Sequence, residues 1–467
     1  MHLRACSTNC LDVSHKTKNL RSTLKIEPSK KSKKVVLQIF SPESSPRLKF
    51  VLDLFFNQIL VLPIELIHDL NQIDPHRPLL NYSNAHLDRG LEMIPHPIMF
   101  ESDIKTQEIV INNFSYFFRT SYGILPFDVF AMGFYMATRY EEYLPFDADK
   151  HNRFSSFDSL ASKNHFLNKA IVHHWAFGLV KVLQNAYADL EVSHRQFGFL
   201  STIDIDSAFA YKAKGMVRFW GGMAKSFLKF DLSDVKRRIL VGLTLQKDPF
   251  DVYDWIHDLH QKSKIDTHFF ILSGELGPYD KNIPLTQAAV IRLLNRLGTW
   301  AQIGLHPSYA SNTSPEKIAS EKNNLSDCIK YDISSSRQHF LKISFPKTYQ
   351  NLIKNDIKID YTLGFAQEVG FRAGLCVPYP FFDLSQNKLT PLTIVPFQIM
   401  DGTLNEYLKL SPEQAKKVIE QIIDEVKLVN GLLVTLWHNE SLSETRHWIK
   451  WRAVYRHLID YQHASKN

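Results

Sequence analysis

Residues 197–206 read F-G-F-L-S-T-I-D-I-D, and the fold turns on how that stretch is understood. It reads as a short buried strand that ends in two carboxylates. Strand side chains alternate faces, so Asp204 and Asp206 point the same way, about 7 Å apart along the chain. Two acids delivered to one spot by an apolar strand repel each other. Burying them is costly unless a cation or several donors satisfy them. A strand that simply runs out into solvent would carry the same pair, so the downstream pattern has to decide.

Downstream, apolar runs alternate with helical patterns, which argues for βα units and a parallel sheet or barrel. The expected strands are Phe197–Asp204, Thr267–Leu272, Trp300–His306, Ser336–Leu341, Ile357–Tyr361, Gly370–Ala373, Thr393–Met400 and Leu432–His438. Helices are expected over Val252–Lys262, Leu285–Leu297, Pro315–Tyr331, Thr348–Asn355 and Pro412–Val429. Seven or eight such units predict an α/β fold, a (β/α) barrel with its chemistry at the C-terminal strand ends.

The polar residues at those ends carry the information. The third strand ends in H-P-S-Y, placing His306; the fourth carries S-R-Q-H, placing Arg337 and His339. The sixth carries F-R-A-G with Arg372, the seventh ends at Asp401, and the last closes L-W-H-N with His438. A single histidine at a strand end is commonly a capped core residue. A whole set of Asp, His and Arg side chains presented to one rim argues for a site.

The first half is harder to read. Residues 34–40, K-V-V-L-Q-I-F, predict a strand, Pro46–Leu60 a helix, 108–116 another strand, and 126–145 and 164–191 two more helices. Arg139, Glu141 and Glu142 read as helix-surface ion pairs. Adjacent His173 and His174 on a helix point about 100° apart and make a poor metal pair. Residues 37–195 thus read as a mixed α/β accessory domain, and 196–467 as the barrel.

Charge and cysteine usage exclude several classes. The net charge is +7, and residues 1–36 hold nine Lys or Arg against Asp12 and Glu27. That stretch reads as a solvated basic leader and leaves the remainder neutral, so nucleic-acid binding is not expected of it. Cys6, Cys10, Cys328 and Cys376 form no disulfide or zinc-ribbon pattern, which suits a reducing, cytoplasmic setting. No apolar run is long enough for a signal peptide or a transmembrane span.

Taken in order, T-I-D-I-D at 202–206, H-P-S-Y at 306–309, F-R-A-G at 371–374, M-D at 400–401 and L-W-H-N at 436–439 resemble the motifs of the polysaccharide deacetylase family. This is the NodB-homology domain of carbohydrate esterase family four, here with an accessory domain in front. The resemblance covers residues 197–450. It implies a hydrolase that uses a divalent metal, zinc foremost, to remove N-acetyl groups from an amino-sugar glycan. Asp206 and His306 match the family's metal ligands and Asp204 its general base. Arg372 matches the arginine that holds the base, His438 the acid, and Asp401 the residue that tunes that acid. Two positions depart from the pattern. Ile205 separates aspartates that are usually adjacent, and Ala310 stands where a second metal-binding histidine is usual. His339 is the candidate third ligand; His268, inside T-H-F-F-I-L, reads as core. The remaining alternatives are a non-catalytic glycan-binding descendant, or the same machinery acting on O-acetyl esters or cyclic amides. Phe219, Trp220, Tyr309, Tyr379, Phe381 and Phe382 are candidates to stack on sugar faces.

Overall fold

A computed structural model of the chain describes residues 35–111, 116–193 and 195–464. The expected leader lies outside these residues except for Val35 and Val36, as do Cys6 and Cys10.

The first half builds a small parallel sheet. Its strands are β1 (Leu37–Phe40), β2 (Ile64–Ile67), β3 (Leu79–Asn81) and β4 (Leu91–Glu92), in the order β2-β1-β3-β4. Every residue of β1 is buried. The following helix, Pro46–Leu52, starts where Ser45 accepts the Leu48 amide and Pro46 takes the first turn, a position that needs no N–H. The helix Val129–Ala137 is buried on every side and is capped by Asp128, which accepts the Phe130 and Ala131 amides. Among the described residues of 108–116 there is no strand.

The second half carries a nine-stranded sheet. In chain order its strands are β5 (Gly198–Ile205), β6 (Asp266–Leu272), β7 (Gln302–His306), β8 (Ser335–Ser336) and β9 (Ile359–Asp360). They are followed by β10 (Tyr379–Asp383), β11 (Lys388–Ile394), β12 (Ile399–Met400) and β13 (Leu432–His438). The spatial order is β10-β11-β9-β8-β7-β6-β5-β13-β12, parallel throughout except for the antiparallel β10–β11 hairpin. The expected closed barrel is therefore corrected to an open sheet. One edge strand, β12, is two residues long, and the other, β10, doubles back, so the two edges never meet.

The aromatic first half covers that doubled-back edge. Phe382 of β10 packs against Phe50 and Phe134 at ring separations of 5.3 and 5.4 Å. One hydrophobic cluster runs from Leu37 to Ile459 and draws on both halves. The expected strand Gly370–Ala373 is instead a turn with Gly370 at φ 130°, a conformation that favours glycine.

Arg139, Glu141 and Glu142 are also corrected. They are interior rather than on a helix surface. Arg139 follows the helix in a left-handed conformation, and its Nε donates to Glu142 Oε1 at 2.7 Å. Arg372 Nε donates to the same oxygen at 2.9 Å, so Glu142 joins the two halves through two buried arginines. Burial opposes the Glu142 charge, but Arg372 and Arg139 outweigh it and hold the carboxyl below its usual range.

Candidate functional site

The sheet register brings the predicted residues together. Strand β5 lies between β13 and β6, with Asp204 opposite His438 on one side and Phe270 on the other. Leu272 lies opposite His306 on β7, and Met400 opposite Leu436 sets Asp401 beside His438. A parallel sheet ends all these strands at one rim, which is why ligands gather there in open α/β folds.

Asp206, His306 and His339 converge. Their ligating atoms all lie within 4.8 Å of one another. Each imidazole is oriented from behind. His306 Nδ1 meets the Arg337 carbonyl, and His339 Nδ1 lies 2.8 Å from Asp280 Oδ1. A carbonyl and a carboxylate only accept, so each Nδ1 carries a proton and each Nε2 is the atom turned inward, free to take a proton or a cation. His306 Nε2 then faces Asp206 Oδ1 at 3.3 Å, and His339 Nε2 faces Asp206 Oδ2 at 3.6 Å. Asp206 Oδ1 is buried without a hydrogen-bond partner among the described residues. Two imidazole nitrogens facing a carboxylate at this range call for positive charge, carried by a ring proton or by a cation between them. The electrostatics agree: burial would favour a neutral His339, yet Asp206 and Asp280 hold its pKa up at about 9. The carboxylates that favour a proton on that ring favour a metal cation in its place.

Asp204 is held by a different arginine from the one expected. Arg337 Nη1 donates to Asp204 Oδ1 at 3.0 Å and to Thr202 Oγ1 at 2.6 Å, while its Nε donates to the Tyr361 carbonyl at 3.0 Å. Its guanidinium stacks on the Phe270 ring at 4.7 Å. Arg372 does not contact Asp204; its fork is spent on Glu142 and the Gly364 carbonyl. The expectation that Arg372 orients Asp204 is corrected for that reason. Both arginines sit in the sequence near the right strand ends, so only the packing separates them.

His438 sits on Asp401. Its Nδ1 lies 2.8 Å from Asp401 Oδ1, and its backbone N–H donates to Oδ2 at 2.7 Å. Burial favours the neutral ring, but Asp401, then Asp206 and Asp204, raise its pKa well above the usual value. These carboxylates favour the protonated ring, with Nε2 left for the cleft. That cleft, about 180 Å³, is lined by Asp204, Asp206, His306, His339 and His438.

Two contributors were not expected from the sequence. Asp280 lies in a loop without a motif; besides His339 it accepts the Tyr309 amide at 2.9 Å. Arg153, from the first half, lines the cleft and donates to the Phe340 carbonyl at 2.7 Å. His268 is in the core, stacked on Phe270 and 3.0 Å from Ser335 Oγ. Tyr379, Phe381 and Phe382 are buried and unavailable for stacking, whereas Tyr309 sits near the rim against Tyr279 and Phe340.

Residues 37–188 match the model of a family of unknown function, DUF7033. No curated protein matches the chain. Among solved structures, a provisionally assigned polysaccharide deacetylase from Mycobacterium smegmatis is 11% identical, with a TM-score of 0.35 over 56% of this chain and 82% of that one. A Puue allantoinase is 10% identical, with a TM-score of 0.35 over 57% and 83%. The polysaccharide deacetylase Bc1974 from Bacillus cereus is 9% identical, with a TM-score of 0.25 over 56% and 85%.

Proposed function

We propose that the chain is a metal-dependent hydrolase that removes acetyl groups from the nitrogen of an amino-sugar glycan or glycan precursor. The observation that carries this reading is the convergence of two inward-facing Nε2 atoms on the Asp206 carboxylate, one oxygen of which is buried without a hydrogen-bond partner among the described residues. Asp206, His306 and His339 would hold a divalent ion. A mixed carboxylate and imidazole set with open positions suits Zn²⁺, which supplies Lewis acidity for the amide carbonyl and for water.

The remaining residues account for the proton movements. Asp204, held in place by Arg337 and facing the same cleft, takes a proton from the attacking water. Amide nitrogen leaves poorly unless protonated. His438, kept charged by Asp401, gives its Nε2 proton to that nitrogen. Arg153 and the half-exposed rings of Tyr279 and Tyr407 near the rim offer a polar contact and stacking faces for a sugar. On this reading the first half of the chain contributes to the rim.

The test is acetate release from N-acetylglucosamine oligomers, with O-acetyl esters and cyclic amides as parallel substrates. Asp204→Asn should lower the rate by two or more orders of magnitude; undiminished release would reject the assignment. Purified protein should carry one divalent ion per chain, lost in His306→Ala.

A further inference from the structure

Between β5 and β6 the chain makes two helices, Gly215–Leu228 and Leu232–Gly242, joined by a short turn. Their patterning is inverted. In the first, Met216, Trp220 and Phe227 recur at helical spacing and all face solvent. In the second, Leu232, Ile239 and Leu243 do the same. Phe230, in the turn, is 88% exposed. Ten of the 22 exposed large hydrophobic residues among the described residues fall between 216 and 245. Apart from Val241, the side chains that the hairpin buries are polar, Ser226 and Asp234. Asp234 takes Ser226 Oγ at 2.6 Å, Tyr211 Oη at 2.7 Å and Arg446 at 3.2 Å, which pins the helices to each other and to the body. An apolar surface this concentrated calls for a partner.

Charge selects the partner. Residues 211–247 contain nine Lys or Arg against Asp231 and Asp234, a local excess of +7, and the second of those acids is buried. A second copy docking through the same face would set like charges together. Residues 1–34, with nine basic residues and two acidic ones, would be repelled as well. An anionic bilayer satisfies both features: hydrocarbon receives the exposed rings while headgroups receive the lysines and arginines. No helix among the described residues is long and apolar enough to cross a membrane, so the hairpin would lie in the plane of the surface.

We propose that residues 215–245 dock the protein on an anionic lipid surface. Tyr211, Lys214 and Arg238, at the base of the hairpin, line a 400 Å³ groove together with Asp206 and His339. Docking therefore brings the mouth of the candidate site to headgroup level. Taken with the hydrolase reading, this makes a membrane-borne acetamido glycan the substrate class.

The experiment is co-sedimentation of the full chain with vesicles of phosphatidylcholine, with and without phosphatidylglycerol. Binding is expected to the anionic vesicles and to fall with added salt. Phe227→Glu combined with Phe230→Glu should lower the partition coefficient roughly tenfold or more and leave the unfolding midpoint unchanged, because both rings are in solvent. Equal binding by that variant overturns the proposal. So does a wild-type chain that ignores anionic vesicles, or one that instead self-associates through these rings. His306→Ala should bind vesicles as the wild type does, which separates the docking surface from the hydrolase reading.

Discussion

Replacing Arg337 by Met leaves Asp204 as a buried carboxylate without its cation. Both side chains are almost wholly enclosed, at 0% and 2% exposure, so solvent cannot substitute for the lost partner. Removing one member of such a buried pair costs about 3–5 kcal/mol, because the other charge is stranded. The Thr202 hydroxyl and Tyr361 carbonyl lose a donor too, and the Phe270 ring loses its guanidinium. Urea unfolding should therefore show a loss near the upper end of that range. Asp204→Asn removes the charge that made the loss severe, so the double variant should recover part of it. The coupling energy between positions 337 and 204 is expected to be about 1–3 kcal/mol. The same cycle between Arg372 and Asp204, which do not touch, should return a coupling within about 0.5 kcal/mol of zero. Strong 372–204 coupling, or an additive 337–204 pair, would refute the placement of the two arginines.

Two further outcomes are expected. Asp280→Asn removes the charge behind His339 Nδ1, and loss of such an orienting carboxylate typically lowers metal affinity about 10–100-fold; competition against a chelator of known strength measures it, and unchanged affinity would remove Asp280 from the centre. Glu425→Gln tests the seam between the two halves. Burial opposes the Glu425 charge, but His174, Lys169 and the Ala170 amide hold its pKa at about 2. A folded-state pKa below the unfolded one stabilises the fold above the unfolded value, and that stabilisation is lost as pH falls toward about 2. Wild type should therefore melt higher than the variant at neutral pH, and the gap should close on acidification; a gap that stays constant with pH would contradict it.

How much could be read in the sequence differs between the halves for a physical reason. Parallel strands buried on both faces leave continuous apolar runs, so β5, β6, β7 and β13 were expected within one or two residues of where they lie. Strands β8 and β9 are two residues each, too short for any period, and the expected strand through Leu341 stops at Ser336. Barrel closure is invisible in a strand pattern because it depends on which edges pair. The Asp/His/His set is legible because Asp206 and His306 lie at strand ends and His339 follows β8 by three residues, in the turn His339–Leu341. Asp280 was not, because nothing in a loop sequence says which carboxylate will reach a distant histidine. The hairpin of 215–242 is not legible as core-forming helices because its amphipathic pattern points away from the core.

Arg337 holds two parts of the centre at once. Its carbonyl orients His306, and its guanidinium grips Asp204. On the proposed hydrolase reading, ion binding and proton abstraction would share a single mooring, and the segment after β8 could not shift to retune one without dragging the other along. A lineage that changes chemistry here would have to replace that mooring as a unit, and partial drift would cost both capacities together.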